Sequence, residues 1–144
     1  MGQVGREDEL AWLRATRSPL ITITGPVGVG KTALAQRFVG THEPGRVVRV
    51  FLGEAKDQDE VAALITRAHG LPQDTPGPRL ADALRAVYQD QATEVLLLDA
   101  ADHVLDAVAR LVASLGDSVT VLVTSRTALG LSSEKVLRLA PLAH

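Results

Sequence analysis

The chain has 144 residues, enough for one domain with its own core. Its 15 basic and 17 acidic residues leave a net charge of −2, and no basic stripe with interleaved aromatics appears, so direct nucleic-acid binding is not expected. Cysteine is absent, which excludes a disulfide framework and a thiolate metal site. No apolar run approaches ~18 residues and no signal peptide opens the chain, so the expectation is a cytoplasmic protein without membrane contact.

Strand and helix patterns alternate along the chain. Residues 7–16 form a short helix pattern with Leu10 and Leu13 on one side. Leu20–Thr24 is a β-branched strand. Lys31–Gly40 places Leu34, Ala35 and Phe38 on one helical face. Arg46–Leu52 is a second strand, and Asp57–His69 a helix stopped by Gly70 and Pro72. Residues 72–78 are rich in turn formers. Arg79–Gln89 is a helix with its stripe at Leu80, Ala83, Leu84 and Val87. Glu94–Leu98 is a third strand, Asp102–Leu115 a helix, Ser118–Thr124 a fourth strand and Lys135–Leu139 a fifth. The central strands are nearly continuous apolar runs, which indicates burial on both faces and parallel pairing. The four histidines, His42, His69, His103 and His144, have no metal-ligand spacing and read as surface or internally satisfied residues.

The most informative tract is Gly25-Pro26-Val27-Gly28-Val29-Gly30-Lys31-Thr32, which spells G-x-x-x-x-G-K-T between an apolar strand and an amphipathic helix. Glycines at these positions let the backbone aim consecutive N–H groups at one point, and the next helix adds the positive end of its dipole. Polyphosphate fits such a nest. The expected nucleotide-binding set is Gly25, Val27, Gly28, Val29, Gly30, Lys31, Thr32 and Ala33. Lys31 would reach the β- and γ-phosphates, and the Thr32 hydroxyl would hold Mg²⁺. No Asn/Thr-Lys-x-Asp guanine motif is present, which favours ATP/ADP over guanine nucleotides.

Val95-Leu96-Leu97-Leu98-Asp99 ends a buried strand in an acid. Asp99 would orient Mg²⁺ opposite Thr32, at the carboxyl edge where open α/β sheets bind ligands. Many ATPases place a second acid next to it to polarise the attacking water. Here Ala100 and Ala101 follow, and the next acid is Asp102, which is the candidate for that task or else a helix N-cap. Slow hydrolysis is expected. The fourth strand ends Val123-Thr124-Ser125-Arg126, and Arg126 suits bidentate phosphate contact. The expected catalytic set is Lys31, Asp99, Asp102 and Arg126, with Thr32 and Asp99 on the metal.

These pieces, together with Val4-Gly5-Arg6-Glu7, Asp102-His103, the tract Ala128-Leu129-Gly130-Leu131 and Pro141-Leu142, occur in the order found in one family. The chain resembles the nucleotide-binding domain of STAND-type signalling ATPases, the NB-ARC-like group, and within it bacterial regulators of the AfsR/SARP and large LuxR types. That resemblance implies an α/β three-layer P-loop NTPase of the ASCE type, with five parallel strands in the order 5-1-4-3-2 flanked by helices. It implies that Val4, Gly5 and Arg6 line the adenine and ribose, and that Arg126 is a sensor arginine. It further implies a switch between ADP-bound and ATP-bound states, with nucleotide-dependent homo-oligomers forming alongside the other domains of a parent regulator. Residues 1–144 would then be a single nucleotide-binding domain, an excised module without the helical and winged-helix domains, and its affinity would be micromolar or weaker. Two other readings share the phosphate loop. An AAA+-type ATPase needs a trans arginine finger and a helical lid; a small-molecule kinase needs a lid over the phosphates, and residues 72–78 are a short one.

Overall fold

The computed structural model describes residues 6–73, 75 and 77–141. Among those residues, five strands and five α-helices follow one another along the chain. They are α1 (Glu7–Ala15), β1 (Leu20–Thr24), α2 (Lys31–Val39), β2 (Val47–Phe51), α3 (Gln58–Ala68), α4 (Gly77–Gln91), β3 (Val95–Asp99), α5 (Leu105–Leu115), β4 (Thr120–Ser125) and β5 (Glu134–Arg138). All strand pairings are parallel, in the order β2-β3-β4-β1-β5. That is the three-layer arrangement expected, read from the other edge.

The sheet is buried on both faces because its apolar residues alternate between two cores. Leu96, Leu98, Val121 and Val123 pack against α3, α4 and α5, where Ile65, Leu84 and Val108 meet them. Val95, Leu97, Leu122, Ile21 and Ile23 turn to the other side, against Leu10 and Leu13 of α1 and Leu34, Phe38 and Val39 of α2. At about 1.5–3 kcal/mol per fully buried aliphatic side chain, this double-sided burial is the main force holding the layers together.

Two helix starts differ from the sequence reading. The helix expected from Asp102 begins at Leu105, with Val104 as its N-cap and no side-chain cap. Asp102 is instead engaged by Arg126, as described below. The helix expected from Arg79 begins at Gly77, and a proline in a first helical turn forfeits no hydrogen bond.

The topology fixes where a ligand can sit. After β1 the chain crosses to β2 on one side, while β5 lies on the other side of β1. The carboxyl ends of β1, β3 and β4 therefore border the crevice where the strand order reverses. The register sets Thr24 beside Ser125 and beside Arg138, so the residue preceding the phosphate loop is flanked by the ends of β4 and β5.

Candidate functional site

The loop from Gly25 to Gly30 turns β1 into α2. Gly25 has φ +156°, and a Cβ there would come within 2.9 Å of both the Leu139 carbonyl oxygen and Val29 Cγ1. Only glycine permits that approach. Gly30 is the N-cap of α2 at φ +104°, with no side chain capping the helix. The first-turn N–H groups of α2 thus remain available to an anion at the loop. Val27 at the loop tip is exposed, whereas Val29 packs toward the core beside Leu139.

Lys31 folds back over this loop. Its Nζ donates to the Gly25 carbonyl at 2.6 Å and the Pro26 carbonyl at 3.0 Å. The ammonium therefore stands at the mouth of the loop, held by two carbonyls. The Thr32 hydroxyl donates to Asp99, 2.9 Å from Oδ1 and 3.2 Å from Oδ2. A hydroxyl and a carboxylate in contact are the hard oxygen donors Mg²⁺ takes, with water and phosphate completing its shell. No cluster of three or more acidic or histidine ligands occurs among the described residues. Mg²⁺ fits this pair only together with phosphate oxygens and water.

Thr124, which the sequence reading placed at a strand tip without a role, completes the arrangement. It is buried, and its hydroxyl donates to Asp99 Oδ1 while accepting the Ala100 N–H at 2.8 Å. Ala101 N–H donates to the Thr124 carbonyl at 3.0 Å. Together these bonds hold the turn after β3, where Ala100 adopts φ +60°. The signal in the sequence was a hydroxyl ending an apolar strand next to the one that ends in Asp99.

That turn delivers Asp102 to Arg126. Asp102 Oδ1 accepts the Arg126 backbone N–H at 2.6 Å and its Nε–H at 3.3 Å. Partial burial pushes the Asp102 carboxyl up, but the Arg126 N–H groups and guanidinium charge outweigh it and hold the group below the usual carboxylate range. Ala33 follows Thr32 in the first turn of α2.

Arg6 is buried at 5 % exposure and turns to the back of the loop. Its Nη2 donates to the carbonyls of Val29 at 3.0 Å and Ala140 at 2.8 Å, and Nη1 pairs with Glu9 at 3.6 Å. Val4 and Gly5, the other two residues expected beside the adenine, lie outside the described residues. A cleft of about 750 Å³ opens at the opposite end of the sheet, lined by Arg14, Arg17, His42 and Asp117 among others. It shares no residue with the loop, so donor geometry and not cavity size locates the site.

Residues 14–131 match the family model described as AAA domain, a span that includes the phosphate loop, Asp99, Asp102 and Arg126. The chain belongs to that family. The AAA domain thus identified has similar folds among solved structures. Cdc6p from Pyrobaculum aerophilum is 18% identical at a TM-score of 0.67, over 96% of this chain and 46% of that one. The Aeropyrum pernix ORC2 protein, solved as ADPNP–ADP complexes, is 18% identical at 0.66, over 93% of this chain and 47% of that one. The Aeropyrum pernix ORC1 protein, solved in complex with DNA, is 20% identical at 0.67, over 96% and 46%. The AAA domain here spans about half the length of those chains. No curated protein matches it. The five-stranded P-loop ATPase fold is therefore common to this AAA domain and to those three proteins. None of its described helices is long and apolar enough to cross a membrane.

Proposed function

We propose that this AAA domain is an ATP/ADP-binding switch with slow Mg²⁺-dependent ATP hydrolysis, acting as a module of a signalling or transcriptional regulator. The observation that carries the proposal is the convergence of Lys31 Nζ with the Thr32–Asp99 pair at the carboxyl ends of β1 and β3. An ammonium at a glycine loop, next to a hydroxyl and a carboxylate, is suited to a Mg²⁺-bound polyphosphate tail. When bound, Mg²⁺ would neutralise charge on the phosphates; Lys31 would hold the outer phosphates, and Asp99 would orient the metal's water. Slow turnover follows from Ala100 standing directly after Asp99.

The regulator role rests on the STAND-like tracts Val123-Thr124-Ser125-Arg126 and Ala128-Leu129-Gly130-Leu131. In that reading, bound nucleotide controls homo-oligomerisation and contact with the other domains of the parent chain. An AAA+-type ATPase is the second reading, favoured by the fold shared with Cdc6p and ORC chains. ORC1 was solved with DNA, so the fold comparison lends no support to the expectation that the protein acts without nucleic acid.

Nucleotide-dependent thermal stability tests the core of the proposal. A ligand that binds only the native state adds RT ln(1 + [L]/Kd), about 2.7 kcal/mol at 100 times Kd. Mg-ADP should raise the melting temperature, and Lys31→Ala should remove the shift. Equal shifts in the two proteins would overturn the assignment of the loop.

A further inference from the structure

Asp102 and Arg126 meet with a geometry that a loose surface ion pair lacks. One carboxylate oxygen takes both the backbone N–H of Arg126 and its Nε–H. The arginine is thereby held at its main chain and at the base of its guanidinium. Its five donors lie in a fixed planar fork, so gripping Nε also fixes the direction of the two terminal amino groups. Among the described residues neither terminal group has a partner, and the Arg126 side chain is 56% exposed against 21% for Asp102. The residue is anchored at its root and open at its tip.

Its location gives that tip a target. Ser125, the last residue of β4, pairs in register with Thr24, the last residue of β1. Arg126 and Gly25 therefore leave the sheet side by side. Ser125 is fully buried, and its hydroxyl accepts the Thr127 N–H at 3.1 Å, which fixes the backbone on the far side of Arg126. On the Asp102 side, the turn is held by the Ala101 N–H bond to the Thr124 carbonyl and the Val104 N–H bond to the Ala101 carbonyl, each 3.0 Å.

We propose that Asp102 is a positioning residue: it aims the terminal edge of Arg126 at the outermost phosphate and so sets the preference for a nucleoside triphosphate over a diphosphate. The inference rests on the nucleotide-binding reading above and assigns Asp102 to Arg126 in place of the attacking water. The carboxylate is well placed for this, because one of its oxygens holds the Arg126 main chain and Nε at the same time.

The test is calorimetric titration with Mg-ADP and with a non-hydrolysable Mg-ATP analogue. The proteins are wild type, Asp102→Asn, Arg126→Lys and the double variant. Each single change should lower affinity for the analogue roughly fivefold to tenfold more than affinity for ADP, and the double variant should lose no more than the worse single one. Arg126→Lys alters an exposed side chain and leaves its backbone N–H in place, so that arm survives if Asp102→Asn fails to fold. Equal losses for the two nucleotides, or losses that multiply in the double variant, overturn the inference. So does an Asp102→Asn protein with slower hydrolysis and an unchanged affinity ratio, which would return Asp102 to the water. Binding of neither nucleotide by the wild type removes the reading beneath it as well.

Discussion

Thr32 and Asp99 are in hydrogen-bond contact at 2.9 Å although 67 residues separate them in the chain. Thr32 lies in the first turn of α2, which follows β1; Asp99 ends β3; and β4 lies between those two strands. The sheet therefore sets the distance between hydroxyl and carboxylate. Asp99→Asn keeps the shape and removes the charge. It should weaken the benefit that Mg²⁺ gives to ADP binding on the order of tenfold to a hundredfold, as changes around metal ligands do. ADP titrations with Mg²⁺ and with EDTA measure that benefit, and an unchanged ratio would take Asp99 off the metal.

Thr124 offers a sharper test of how the site is built. Thr124→Val is close in shape, but it deletes the hydroxyl that meets both Asp99 and the Ala100 N–H. Leaving such groups without a partner costs about 1–3 kcal/mol. Urea unfolding should show that loss for Thr124→Val and most of it recovered in Thr124→Ser. A valine variant as stable as the wild type would show that Asp99 does not depend on this contact.

Much of this was legible in the chain because the signals are local. The strand before the loop, the glycine spacing and the apolar stripe of α2 all fall within residues 20–39, and the structure places them as the sequence indicates. The hidden parts are contacts between distant segments. Asp102 reads as a water-orienting acid or a helix cap, the two tasks an acid between a Walker-type strand and an apolar helix can have; only the fold shows Arg126 there to take it. The resemblance puts Arg6 along the adenine. In the structure its guanidinium bridges residues 29 and 140, a juxtaposition no local pattern contains. The Thr124 hydroxyl is a signal only in combination, because its meaning depends on which strand lies beside β4.

His69 makes stability depend on pH. Its Nδ1 lies 2.7 Å from the Ile65 carbonyl, an acceptor, so Nδ1 carries the proton and Nε2 accepts from the Tyr88 hydroxyl at 2.9 Å. Burial pulls the His69 pKa down, and the Ile65 contact only partly offsets it. The folded pKa is thus below the unfolded one, and the unfolded chain takes up the proton first as pH falls. Well above about pH 6.5 neither state is protonated and this contribution is flat. Below that it should fall steadily until the folded pKa is reached. Urea midpoints at pH 7.5 and 5.5 should differ less in His69→Gln than in the wild type. An identical difference would show that other groups set the acid sensitivity.

Arg6 separates two kinds of interaction at the back of the loop. Its bonds to the Val29 and Ala140 carbonyls are of normal length and come from a buried guanidinium, and hydrogen bonds from a charged donor are worth about 1.5–3 kcal/mol each. Its pairing with Glu9 is looser at 3.6 Å, and Glu9 Oε1 is buried with no hydrogen-bond partner among the described residues. The carbonyl bonds should therefore dominate. Arg6→Met keeps much of the aliphatic stem and deletes the donors; it should lose about 1.5–3 kcal/mol of stability per deleted bond, read as a lower denaturant midpoint with an unchanged slope. Glu9→Gln should cost under about 1 kcal/mol, the range of a partly exposed ion pair. Because Val29 belongs to the phosphate loop, Arg6→Met should also weaken Mg-ADP binding, whereas Glu9→Gln should affect it less. If Glu9→Gln proves the more damaging change in either measurement, the ion pair and not the carbonyl clamp holds the loop in place.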